Sequence, residues 1–277
     1  MEALHFTTES IAGLMIEGIL MILIPVVLLI IWQKRTHENI LPVVVGGATW
    51  FVFAILLKLA PAYFLLQANN PIAKAVSGNA WLSYLVAGIL AGMFEETGRF
   101  LAYKFVLKKY EKRRASISYG IGHGGFESVY IGFQMGAMAV LGVLINAGFG
   151  DFLTVGADEA TVATLVAQLS PMTDLSMGEC LLAVFERLPA IAFHISASVL
   201  VFAAVREKKY AFLFPLAIIL HFLFDFSIAF YAAGLISVWA MEFGFAVIVA
   251  PIVYFAYRIY KKLGETAEVE PTDKTEQ

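Results

Sequence analysis

The sequence predicts an all-α polytopic membrane protein with about seven transmembrane helices. Three observations carry that expectation. Hydrophobic residues make up 60% of the 277 and charged residues 15%, against about 45–50% and about 25% in soluble domains. Mean hydropathy is +0.79. Seven stretches hold the roughly 20 apolar residues that a helix needs to cross about 30 Å of hydrocarbon, and none alternates polar and apolar residues as barrel strands do.

In order, the expected spans are about 11–32, 41–66, 80–107, 117–145, 180–204, 211–233 and 236–258. Glu2 and Glu9 stand where a cleavable secretion signal would carry basic residues, so no such signal is expected. Lys34 and Arg35 follow span 1, and Lys108, Lys109, Lys112, Arg113 and Arg114 follow span 3. Arg206, Lys208 and Lys209 follow span 5, and Lys261, Lys262 and Lys274 follow span 7, whereas the opposite connections hold only Lys74. The positive-inside rule then puts the N-terminus outside and the C-terminus in the cytoplasm.

The long connection 146–179 is acidic, with Asp151, Asp158, Glu159 and Asp174, and is expected outside. Within it, 157–170 could form a short helix, and Ser176-Met-Gly-Glu179 reads as a capping box for span 5. Residues 1–263 are expected to form one membrane domain with a functional core over about 80–233, followed by a disordered cytoplasmic tail, 264–277. One cysteine, Cys180, excludes an internal disulfide framework. No internal repeat supports an inverted-repeat transporter.

Function is written in the ionisable residues that lie inside the spans: Glu95, Glu96 and Arg99 in span 3, His123 and Glu127 in span 4, Glu186, Arg187 and His194 in span 5, and His221 and Asp225 in span 6. At about 2.5–3.5 kcal/mol for each ionised group at a helix centre, the seven acids and arginines would cost roughly 20 kcal/mol facing lipid. They must therefore face one another or a wet cavity. At 1.5 Å per residue, Glu95, Glu127, His194, His221 and Asp225 fall roughly 15–21 Å from the inner boundary, a common level near mid-membrane. Glu95 and Arg99, His123 and Glu127, His194 and Ser198, and His221 and Asp225 are each spaced i,i+4, so each pair shares a helix face.

Each feature has a bland reading. Glu95–Arg99 could be a structural ion pair, but adjacent Glu96 points about 100° away and needs its own partner. His123, shallower than the rest, fits an interfacial position almost as well as a site. His194 alone would serve as a helix–helix hydrogen-bond donor. His221 with Asp225 favours function, while Glu186 and Arg187 read as structural pairs. Glu17, Lys58 and Glu242 lie near span ends, where snorkelling accounts for them. The glycines of Gly120-Ile-Gly-His-Gly-Gly-Phe-Glu127 allow close approach of a neighbouring helix or a peptide, and Gly132-Phe-Gln-Met-Gly136 is a weak small-xxx-small packing motif.

Four motifs occur in order on successive spans: Glu95-Glu96-Thr-Gly-Arg99, His123-Gly-Gly-Phe-Glu127, Phe193-His194-Ile-Ser-Ala-Ser198 and His221-Phe-Leu-Phe-Asp225. Together they resemble the YhfC-like family of intramembrane proteases, which is related to CAAX-prenyl endopeptidases and bacteriocin-processing enzymes, to PrsW proteases and to the Aph subunit of γ-secretase. The first motif is one residue shorter than the Glu-Glu-x-x-x-Arg of CAAX-type enzymes, and Glu127 and Asp225 match the PrsW pattern better. The resemblance therefore implies a bacterial peptide or membrane-protein substrate rather than a prenylated one. It implies Glu95 or Glu96 as the base that activates water, assisted by His123 or Glu127. His221 and Asp225 would then bind the tetrahedral oxygen and leaving group, with His194 in support.

No serine or cysteine stands in a recognisable nucleophile arrangement, and no His-Glu-x-x-His is present. A cofactor-free, glutamic-type mechanism is preferred. Zinc is the alternative, with His123, Glu127, His194 and His221 as the candidate ligands. A non-catalytic scaffold or immunity-type protein, and a proton-coupled transporter, are the rival functions. Expected partners are the substrate and the lipid bilayer, with no nucleic acid. The expected location is the bacterial plasma membrane, as a multi-pass protein.

Overall fold

The computed structural model describes residues 4–265. Among them there is no strand, and the helices follow in the order α1 (Thr8–Thr36), α2 (Leu41–Trp50), α3 (Lys58–Leu66), α4 (Pro71–Ser77), α5 (Ala80–Leu101), α6 (Arg114–Leu144), α7 (Glu159–Leu169), α8 (Met177–Arg206), α9 (Leu213–Phe226), α10 (Ile228–Ala232) and α11 (Val238–Glu265). A π-helical segment, Phe51–Leu57, joins α2 to α3, and another, Ala102–Val106, prolongs α5. Among the described residues, six helical stretches are long and apolar enough to cross a membrane: Thr8–Thr36, Leu41–Leu66, Arg114–Phe152, Met177–Arg206, Lys208–Ala232 and Val238–Leu263. A seventh is counted if Pro71–Ser77 and Ala80–Val106, bent by 109°, make one span. The expected tail lies outside the described residues apart from Gly264 and Glu265, which close α11.

Local chemistry sets the helix starts. Asn70 accepts from the Ala73 N–H ahead of Pro71, and Asn79 accepts from the Leu82 N–H, so α4 and α5 each begin on an asparagine cap. The capping box at α8 forms as expected: Glu179 Oε2 accepts from the Ser176 N–H at 2.9 Å, and Ser176 Oγ accepts from the Glu179 N–H at 3.2 Å. The short helix expected over 157–170 is α7. Its cap, Asp158, accepts from the Thr161 N–H at 2.7 Å, and hydrogen bonds from Thr161 hold this carboxyl below its ordinary range. The cap is therefore present above the unfolded pKa and lost as pH falls through the lower folded value.

The chain divides into two compact units. Among the described residues, one comprises 4–28 and 127–188, the other 29–126 and 189–265. In the first, Leu4, Phe6, Leu14, Ala139, Ile145 and Leu169 form the core. There α1 and α6 meet backbone to backbone: a Cβ on Gly18 would lie 2.6 Å from the Gly132 carbonyl oxygen, so the small-xxx-small motif acts in packing.

The second unit has two cores. One gathers Tyr103, Leu107, Tyr119, Leu200, Phe202 and Leu213. The other gathers Phe193, Phe224, Phe245 and Val249, with the Phe193 and Phe224 rings stacked 5.0 Å apart. Outward faces are apolar, as lipid contact requires: Ile19, Leu23 and Val27 on α1 and Val247 on α11 are exposed.

Missing side chains let the helices of this unit approach. A Cβ on Gly92 of α5 would lie 2.7 Å from the Ile218 carbonyl oxygen of α9. On α6, a Cβ on Gly122 would collide with the Val43 carbonyl of α2, and one on Gly124 would stand 3.0 Å from His194 Cβ of α8. Because the obstacle at Gly92 is backbone, Gly92→Val should force α9 away and destabilise the protein by about 1–3 kcal/mol. Thermal unfolding in detergent checks this, and an unchanged midpoint would contradict the packing.

Candidate active site

The close approach of α9 to α5 sets His221 against the two glutamates. Glu96 Oε1 accepts from His221 Nδ1 at 2.8 Å, while Glu96 Oε2 stands 3.1 Å from Arg99 Nε. Both side chains of that ion pair are fully buried. A carboxylate accepts only, so His221 carries a proton on Nδ1 and turns Nε2 into the site. There Nε2 lies 3.8 Å from Glu95 Oε2 and 3.7 Å from Asp225 Oδ2.

Arg99 extends from α5 to α8. Its Nη1 donates to the His194 carbonyl and to Ser198 Oγ, both at 2.6 Å, and Ser198 Oγ donates to the same carbonyl at 2.7 Å. Its Nη2 lies 3.3 Å from His194 Nδ1. A guanidinium only donates, so Nδ1 is the acceptor and a neutral His194 carries its proton on Nε2. The Tyr119 ring faces the same guanidinium, 5.9 Å from ring centre to Cζ.

Glu95 is the centre of the cluster. Its Oε2 stands 3.2 Å from His123 Nε2 and its Oε1 stands 3.8 Å from Lys58 Nζ. The His123 and His194 ring centroids are 4.9 Å apart, and those of His194 and His221 are 5.4 Å apart. Phe193 closes one side, 5.2 Å from the His221 ring. Glu95, Glu96, Arg99, His123, His194 and His221 are all buried. Only Asp225, with 31% of its side chain exposed, and Lys58, with 26%, reach the accessible edge.

Of the ionisable residues singled out in the sequence, Glu95, Glu96, Arg99, His123, His194, His221 and Asp225 therefore come together, and His123 is fully buried. Glu127 belongs to the other unit, where Oε1 lies 3.4 Å from Arg187 Nη1 and Arg187 also pairs with Glu186. The i,i+4 spacings foretell side-chain pairing at His221–Asp225, whereas Arg99 pairs with Glu96 one residue nearer. Sequence reasoning missed Lys58. The available signal was a cation inside an apolar stretch with no acid near it in sequence.

A divalent cation has donors here. One ligand atom each from Glu95, His194 and His221 lies within 4.8 Å of the others. Glu96 on Nδ1 orients His221 as a carboxylate orients a metal-bound imidazole. The set fits a metal through Glu95 and His221 as they stand, and through His194 once its ring gives up Arg99.

These observations define an all-helical, multi-pass membrane protein whose membrane-spanning helices gather carboxylates and imidazoles in a buried cluster. The chain belongs to the family described as YhfC intramembrane metalloprotease, whose model matches residues 20–246. It is similar to the uncharacterized membrane protein YhfC of Bacillus subtilis (strain 168), at 33% identity over 251 residues, covering 89% of this chain and 95% of that protein. No solved structure matches it.

Proposed function

We propose that this protein is an intramembrane endopeptidase that hydrolyses a peptide bond of a peptide or membrane-protein substrate, with Glu95 as the base. The carrying observation is the unequal setting of two adjacent carboxylates. Glu96 is fully buried and has one oxygen on Arg99 and the other on His221, so it is committed to orientation. Glu95 has Oε2 turned to His123 and His221 and lies beside the accessible edge marked by Asp225 and Lys58.

In this mechanism Glu95 Oε2 takes a proton from water as the water oxygen bonds to the scissile carbonyl carbon. The Nε2–H of His194 donates to the developing oxyanion, while the Nε2–H of His123 holds Glu95 Oε2 in place. The C–N bond then breaks, and the proton on Glu95 passes to the leaving amine. His221 and Asp225 line the side on which the amine departs. Comparing the membrane peptidomes of cells carrying the wild-type protein and Glu95→Gln tests the reading. Peptides that accumulate only with wild type are expected, and identical peptidomes would overturn it.

The Glu95–His194–His221 donor set and the family's description favour a second reading. Zinc, when bound, would acidify a water and polarise the carbonyl. Glu95, His194 and His221 would hold it, and Glu95 would then serve as ligand rather than base. The glutamic reading expects less than 0.1 mole of zinc per mole of purified protein and cleavage resistant to chelators, as an order-of-magnitude limit. Stoichiometric zinc with chelator-sensitive cleavage would establish the second reading.

We also propose seven crossings, with the bent α4–α5 pair as the third, an external N-terminus and a cytoplasmic C-terminus. The basic residues in the last turns of α1, α8 and α11, and those that follow α5 and α8, support this arrangement. Impermeant labelling of single cysteines placed at Asp158 and at Lys109 should mark the former only from outside.

A further inference from the structure

Lys58 lies eight residues from the end of the Leu41–Leu66 stretch, where snorkelling would carry its amine away from the membrane centre. The structure turns it inward instead. The preceding turn is π-helical over Phe51–Leu57, and its wider i→i+5 turns shift the helix face relative to a regular α-helix. That segment packs closely on α5: a Cβ on Gly98 would lie 2.6 Å from the Phe53 ring. Glu95 is one helical turn before Gly98, and the shift brings Lys58 Nζ to 3.8 Å from its Oε1.

The two glutamates then show parallel settings. Glu96 has one oxygen on His221 and the other on the permanent cation of Arg99. Glu95 has one oxygen on His123 and the other on the ammonium of Lys58. Arg99 is fully buried and its pair is locked, whereas Lys58 is 26% exposed and its contact is longer than a hydrogen bond. Lys58 thus faces Oε1 of Glu95 from the accessible edge of the site.

We propose that Lys58 is a positioning residue of the site, presented by the π-helical segment, which anchors Oε1 of Glu95 so that Oε2 faces the histidines. The role rests on the endopeptidase reading; the pair itself does not. Acylation of the full-length protein in detergent by acetic anhydride, read by mass spectrometry with Lys74 as internal reference, tests the pair without any cleavage assay. Glu95→Gln and Glu95→Ala should raise the Lys58/Lys74 labelling ratio at least threefold. A ratio unchanged in both variants overturns the pair.

Positioning is tested on internally quenched transmembrane peptides. Lys58→Met should lower kcat at least tenfold with KM within twofold, and Lys58→Arg should return kcat to within threefold of wild type. A rise in KM alone, or no rescue by arginine, overturns the positioning role. Should the wild-type protein cleave none of the peptides, the endopeptidase reading falls and the labelling result still decides whether Lys58 holds Glu95.

Discussion

Glu95→Gln is expected to abolish cleavage while leaving the fold intact. Glutamine keeps the volume and a carbonyl oxygen that can accept from His123, so packing around α5 changes little. It cannot take a proton from water. General-base catalysis contributes about 10²–10⁴-fold, so product should fall by at least about a hundredfold. Under the zinc reading the same change removes an anionic ligand, and the loss is again expected. The informative contrast is with Glu96→Gln. That change weakens the grip on His221 Nδ1 and leaves Arg99 facing a neutral amide inside the protein, so it should lower both stability and activity. Measuring unfolding midpoint and product together separates the two glutamates. Cleavage that survives Glu95→Gln would remove Glu95 from the chemistry. A wild-type protein that yields no peptide, in a strain whose phenotype depends on His221, would favour the scaffold reading.

How much of this was legible in the sequence follows from which properties are local. Hydropathy and helical rise belong to a single segment, so the apolar stretches and the shared depth of Glu95, His194, His221 and Asp225 could be counted along the chain. The capping box at Ser176 and the helix after Asp158 were local for the same reason. Partner choice is not local. Glu95 and Arg99 share a face, yet Glu96 takes the guanidinium, and Arg99 continues to His194 and Ser198 on α8. His123 looked shallow by its position in span 4, yet Gly122 and Gly124 allow α2 and α8 to approach closely enough to bury it completely. Glu127, one turn further along α6, pairs with Arg187 within the first unit. Lys58 fits snorkelling by its position alone, because no sequence pattern announces the π-helical turn before it. Pairing is decided by where glycines admit a neighbouring backbone, a property of two helices at once.

The largest effect on stability is expected at Arg99, the side chain through which α5 grips α8. Its guanidinium has no exposure and contacts Glu96, the His194 carbonyl, His194 Nδ1 and Ser198 Oγ. Methionine in its place fills much of the volume but leaves the Glu96 carboxylate without its cation. Breaking one side of a buried ion pair costs about 3–5 kcal/mol, chiefly because the remaining charge has lost its compensation. Arg99→Met should therefore lower the unfolding midpoint in detergent more than any change proposed above. Arg99→Lys keeps the charge, but its compact ammonium cannot span Glu96 and the α8 carbonyl together, so an intermediate loss is expected. Arg99→Met combined with Glu96→Gln removes both charges and should recover more than half of the deficit, although His221 then has a weaker acceptor on Nδ1 and cleavage stays low. A stability loss with no recovery in the double variant would place the cost in packing alone. A loss below about 1 kcal/mol for Arg99→Met would mean that water reaches the pair, contradicting the sealed setting from which Glu96 is assigned to orientation and Glu95 to catalysis.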